Sequence, residues 1–140
     1  MNINREILFR GKHIHAMDSN EHLNGTWVHG YLSDKNYIYD KSLEGEFLVD
    51  ENTICQYTGL NDMSDTKIWE NDIVKIGDCR GVIRYKDGCF SIKWINDPLE
   101  IRRTDLAHWV HFRTIQVIGN VFDNLGLLEK NEENKHGEDI

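Results

Sequence analysis

The dipeptide Asp87-Gly88 stands between two runs that alternate apolar and polar residues, 80–86 (RGVIRYK) and 89–95 (CFSIKWI). Asp-Gly is a favoured two-residue hairpin turn, because both central positions of that turn take positive φ. Folding the chain back there sets Lys86 opposite Cys89, Tyr85 opposite Phe90, Arg84 opposite Ser91, Ile83 opposite Ile92, Val82 opposite Lys93 and Gly81 opposite Trp94. Side chains alternate along a strand, so one face collects Tyr85, Phe90, Ile83, Ile92 and Trp94, and the other Arg84, Lys86, Ser91 and Lys93. A slip of one residue would mix the two sets, so the register is strongly specified. Gly81 opposite Trp94 leaves room for the indole.

The rest of the chain reads in the same way. Short strand-like runs occur at 5–10 (REILFR, ending at Gly11), 26–32 (TWVHGYL, after an Asn24-Gly25 turn), 36–40 (NYIYD), 47–49, 73–76 and 114–119 (TIQVIG). Aromatic and β-branched residues of this kind suit a pleated, half-buried surface. One short helical turn, capped by Thr104 or Asp105, is predicted to place Leu106, Trp109 and Val110 on one side. Leu125, Leu127 and Leu128 form a last apolar patch expected to dock on the body. Residues 13–24 are polar and read as a loop or hairpin tip.

These signals predict a mainly β protein. Fourteen aromatics in 140 residues supply a core that a disordered chain would lack. The expected organisation is a β-rich, irregular N-terminal segment (1–52), a small closed barrel (53–128) and an acidic, unstructured tail (129–140).

Composition narrows the function classes. The net charge is −8, with a strongly acidic last dozen residues, which disfavours broad binding to phosphate backbones without excluding a local basic patch. The three cysteines, Cys55, Cys79 and Cys89, have no CxxC spacing, so neither a disulfide framework nor a cysteine-rich zinc site is expected; all three read as buried or half-buried. No stretch has the roughly 18–20 apolar residues of a membrane span, and the N-terminus does not read as a secretory signal. The expectation is a cytoplasmic protein with no membrane partner and no cofactor.

Several residue groups carry potential chemistry. Gln56, Tyr57 and Thr58, followed by Gly59 and Leu60, read either as a recognition loop, with hydrogen-bonding groups and a stacking ring, or as a buried connector in which Tyr57 packs and Gly59 takes positive φ. Glu70, Asp72, Asp62 and Asp65 offer oxygen ligands for Mg²⁺ or Ca²⁺, but their spacing fits no metal loop; turn chemistry, with Asp72 accepting from backbone amides, accounts for them more simply. His108 and His111, and His13 and His15, share faces without a second ligand pair. Arg80, Arg84, Lys86, Lys93, Arg102 and Arg103 are the one basic concentration. Arg84, Lys86 and Lys93 fall on the polar hairpin face, either as a solvated face or as a nucleic-acid surface. No nucleophile elbow, phosphate loop, dinucleotide fingerprint or HExxH is present, and no enzyme is expected.

The order of segments 5–12 (REILFRGK), 27–32 (WVHGYL), 53–74 (TICQYTGLNDMSDTKIWENDIV), 81–92 (GVIRYKDGCFSI) and 117–128 (VIGNVFDNLGLL) resembles the YopX family of phage and prophage proteins. Gln56-Tyr57-Thr58-Gly59-Leu60 with Ile118-Gly119-Asn120 is the most specific part. The family tends to have an Asn-Gly turn where this chain has Ser64-Asp65, Glu-Gly-Asp where it has Glu70-Asn71-Asp72, and Asn-Pro where it has Asn124-Leu125. The resemblance implies an SH3-like β-barrel in the C-terminal part and a gene carried by a bacteriophage or prophage. It implies no activity. The reading that follows is a non-enzymatic accessory protein that binds a protein partner, a second copy of itself (a homo-oligomer) included. A nucleic-acid-binding module is the alternative.

Overall fold

Period-two alternation becomes ten antiparallel strands in a computed structural model that describes residues 6–14, 25–97 and 102–129. The chain divides into two compact units after Gly59.

The first unit holds β1 (Phe9–Lys12), β2 (Trp27–Asp34), β3 (Tyr37–Asp40), β4 (Gly45–Leu48) and most of β5 (Cys55–Asn61), in the order β4-β3-β2-β1-β5. Val28, Ile38, Phe47 and Val49 form its core, all under 10% exposed. The expected first strand is displaced. Gly11 does not end it; β1 runs through Gly11 to Lys12. A Cβ at Gly11 would meet Val49 at 2.9 Å, so this glycine serves close packing. His13, expected in a polar loop, is buried, bridges Val49 and exchanges backbone hydrogen bonds with Gly25 and Thr26. The rest of that loop, 15–24, and the tail, 130–140, lie outside the described residues. The sequence reading begins a new part at 53, whereas the units divide later, because Cys55 and Gln56 pair with Arg10 and Phe9 of β1.

The second unit holds the end of β5, β6 (Lys67–Trp69), β7 (Asp72–Ile76), β8 (Cys79–Lys86), β9 (Cys89–Trp94), a short helix α1 (Leu106–His111) and β10 (Gln116–Asn120). Four of these strands form a sheet in the order β10-β7-β8-β9. The β8–β9 pairing reproduces all six partners expected from the sequence. Asp87 and Gly88 have φ of 53° and 84°, as the turn requires. Ile68, Val74, Ile83, Ile92, Trp94, Leu106 and Ile115 form the core. Ser91 bridges Asp105, and the Ile92 N–H donates to the Thr104 carbonyl, so the segment before α1 lies along β9. Among the described residues the sheet stays open: β9 and β10 are its edges, and no closed barrel is found.

Three finer expectations change. Tyr85 is 56% exposed rather than inward, because it sits at the hairpin tip beyond the core, edge-on to half-buried Phe90 at 5.0 Å. Cys89 is exposed rather than half-buried, since it pairs with Lys86 next to the turn. Leu125 is exposed, while Leu127 and Leu128 are half-buried and Arg80 donates to the Leu127 and Glu129 carbonyls.

Candidate functional site

The inward half of the first unit's alternation is apolar, so its outward half decides what the surface offers. Tyr31 on β2 pairs with Tyr39 on β3, and Tyr37 is two residues from Tyr39, so the three rings share one face. They are 60%, 42% and 38% exposed, while Ile38 between two of them is fully buried. Glu46 and Leu48 of β4 stand opposite Tyr39 and Tyr37. A groove of about 460 Å³ adjoins this face, bordered by Glu6, Ile7, Phe9, Tyr31 and Leu32. Strand β3, which carries two of the rings, is tied to β2 and to the turn that follows it. The buried Asp40 carboxylate accepts from the His29 N–H (2.9 Å), the Ser42 N–H (2.9 Å), the Ser42 hydroxyl (2.6 Å) and the Leu43 N–H (3.3 Å). Burial pushes this carboxyl up, but those donors outweigh it and hold it below its ordinary value.

In the second unit the hairpin's polar face borders a cleft of about 350 Å³, lined by Arg84, Lys86, Ser91, Ile92, Lys93, Trp94, Asp97 and Thr104. The three predicted cations are exposed and lie together on it. Among the described residues none of them forms an ion pair. The one acid lining the cleft, Asp97, is engaged: its carboxylate accepts from the Arg102 N–H at 3.0 Å and pairs with the Arg102 guanidinium at 3.8 Å. The cleft wall is fixed by the Arg103 carbonyl, which accepts from the indole N–H of Trp94 (2.8 Å) and of Trp109 (3.0 Å).

Gln56, Tyr57 and Thr58 are not in a loop. They lie in β5 of the first unit: Gln56 pairs with Phe9, Tyr57 is 7% exposed and donates its N–H to the Leu8 carbonyl, and Gly59 has φ 87°. This geometry matches the connector reading of that motif. Two of the acidic residues act on backbone amides. Asp72 accepts from the Trp69 N–H at 2.7 Å; Asp62 accepts from the N–H groups of Ser64, Thr66 and Val117, each at 2.9 Å. His108 and His111 pack against Trp109 and Phe112 on and just after α1. The tyrosine face was not singled out from the sequence, although the Tyr37-Ile38-Tyr39 alternation carried its signal.

A family model described as YopX protein matches residues 9–129. A solved structure, the crystal structure of protein EF1440 from Enterococcus faecalis, is similar at 22% identity with a TM-score of 0.49, over 90% of this chain and all of that one. No curated protein matches.

Proposed function

The chain belongs to the YopX family, and from that premise we propose that it is a non-enzymatic, phage- or prophage-encoded accessory protein that binds a protein partner in the bacterial cytoplasm. The observation that carries this reading is the outward face bearing Tyr31, Tyr37 and Tyr39. Tyrosine supplies a large, rigid contact area with a polar tip, and it is enriched where proteins meet. The partner is expected to present a basic and apolar surface. This chain carries a net charge of −8, and Glu46 and Glu6 flank the rings and the groove, so a second acidic copy is the poorer fit. Cationic side chains also fit against exposed aromatic faces. Three free cysteines agree with a reducing compartment. The second unit is read as an SH3-like barrel left open between β9 and β10; the return of β10 beside β7 supports this, since a small barrel wraps in that way.

The test is affinity capture from phage-infected or prophage-carrying bacteria with the whole chain and with a Tyr31→Thr/Tyr39→Thr variant. Threonine keeps strand propensity while removing the rings. Capture of a basic protein should weaken by about 30-fold, the effect of losing ~2 kcal/mol at an anchor. An Arg84→Gln/Lys93→Gln variant should capture it normally. Equal capture by the tyrosine variant would overturn the reading. A dimer in sedimentation that the same variant dissolves would make a second copy the partner instead.

A further inference from the structure

We infer that the cleft bordered by Arg84, Lys86 and Lys93 is a phosphate-binding site for the backbone of single-stranded nucleic acid. This inference stands apart from the tyrosine face and does not depend on it.

The argument starts from the register. Arg84 and Lys86 are two apart on β8, so their stems point the same way about 7 Å apart. Arg84 faces Ser91, so Lys93, two residues beyond Ser91, is its diagonal neighbour across the ladder at about 7–8 Å. Like charges this close on one sheet face repel and weaken the pairing. An anion seated among them converts that repulsion into attraction. Within the described residues no acid serves this purpose, and Asp97 is turned to Arg102. Ser91 and Thr104 add hydroxyl donors to the same cleft.

The cleft's size and lining select the occupant. At about 350 Å³ it is roomier than one phosphate needs, and its cations are strung along the hairpin rather than gathered at a point. A recess of this kind admits one extended strand, whereas a rigid duplex would touch only its rim. Tyr85, the exposed ring of the hairpin, belongs to the opposite face, so the site contacts the backbone and is tolerant of base sequence.

The measurement is fluorescence anisotropy of a labelled oligothymidylate of about 12 nucleotides, within the range of small β domains, with the full chain. Three phosphate contacts predict a slope of log affinity against log salt of about −2, hence roughly 20-fold weaker binding at 200 mM than at 50 mM salt. Arg84→Gln, Lys86→Gln and Lys93→Gln should each weaken binding and reduce that slope by about 0.7. The control Lys35→Gln/Lys41→Gln, exposed cations of the first unit, should change neither. All five positions are exposed, and circular dichroism confirms that each variant folds. Absent binding at 50 mM salt overturns the inference, as does an equal effect of the control. So does equal affinity for duplex, for polyglutamate of matched charge or for pyrophosphate alone.

Discussion

The two units present the same ladder with opposite surfaces. In the first, Val28, Ile38 and Phe47 point inward while Tyr31, Tyr37 and Tyr39 point out. In the second, Val74, Ile83 and Ile92 point inward while Arg84, Lys86 and Lys93 point out. The inward halves are nearly interchangeable, because burial alone fixes strand register. The outward halves carry no such duty, and here one is aromatic and one cationic. Function in such a chain is written on the half of the alternation that folding leaves free.

The largest expected effect separates the glycines beneath these two surfaces. A Cβ at Gly30 would lie 1.8 Å from the Tyr39 carbonyl oxygen, a backbone atom. At Gly81 the nearest atom is a methyl of Ile92 at 2.4 Å, ahead of the Lys93 carbonyl oxygen at 3.1 Å and the Trp94 indole at 3.2 Å, so the one severe clash is with a side chain. Gly30→Ala must push strands β2 and β3 apart and should cost about 3 kcal/mol or more, whereas Gly81→Ala should cost about 1–2 kcal/mol because a side chain can shift. Ile92→Leu, which removes the β-branched methyl, should recover part of the second loss and none of the first. Denaturant titration, with amide exchange of β1–β4 read for Gly30→Ala, decides it. Equal costs would show that β3 yields as easily as a methyl group.

A buried aspartate of the first unit gives the next test. Asp40 Oδ2 accepts from the His29 N–H, while Oδ1 serves Ser42 and Leu43. In Asp40→Asn one oxygen becomes an amide donor. If the remaining oxygen keeps the Ser42 side, the amide confronts the His29 N–H, donor against donor, at a cost of about 2 kcal/mol. The native carboxyl is held below its ordinary value, so its contribution is fully present above the unfolded-state carboxyl range. It is lost as pH falls through the depressed native value. Stability of the native chain should therefore fall on acidification, and the gap to Asp40→Asn should close in the same window. A gap that stays constant down to the acid limit would mean that Asp40 is not ionised in the folded protein.

The hairpin was legible because three signals agreed: turn residues with positive φ, two-faced alternation, and a glycine opposite a tryptophan. Period two gives the face of a residue but not how far the core extends beneath it, which is why Tyr85 was misplaced. Tyr37 and Tyr39 failed in a related way. The run NYIYD showed that the tyrosines oppose Ile38, but which side is buried depends on Val28 and Phe47 from other strands. Of the cleft, the three cations could be read from the hairpin register, while its other wall, Thr104 beside β9, rests on a contact between segments distant in the register. For Gln56, Tyr57 and Thr58 the sequence left a recognition loop and a buried connector both open, because what separates them is the long-range pairing of Gln56 with Phe9.

The smallest effects test backbone strain in both units. Glu44 in the first and Arg113 in the second have φ of 55° and 56°, a region that costs a side-chain-bearing residue about 1–2 kcal/mol. Glycine relieves that cost but is freer when unfolded, so Glu44→Gly should stabilise by about 0.5–1 kcal/mol. Arg113→Gly should gain slightly less, because the Arg113 guanidinium donates a long bond of 3.4 Å to the Met63 carbonyl. Asn71 has φ 71°. Asparagine is at ease there, so Asn71→Gly should change stability by only a few tenths of a kcal/mol. Paired urea titrations resolve the order Glu44, Arg113, Asn71; a loss of stability in Glu44→Gly would show that its side chain holds the turn before β4 more tightly than its backbone strains it.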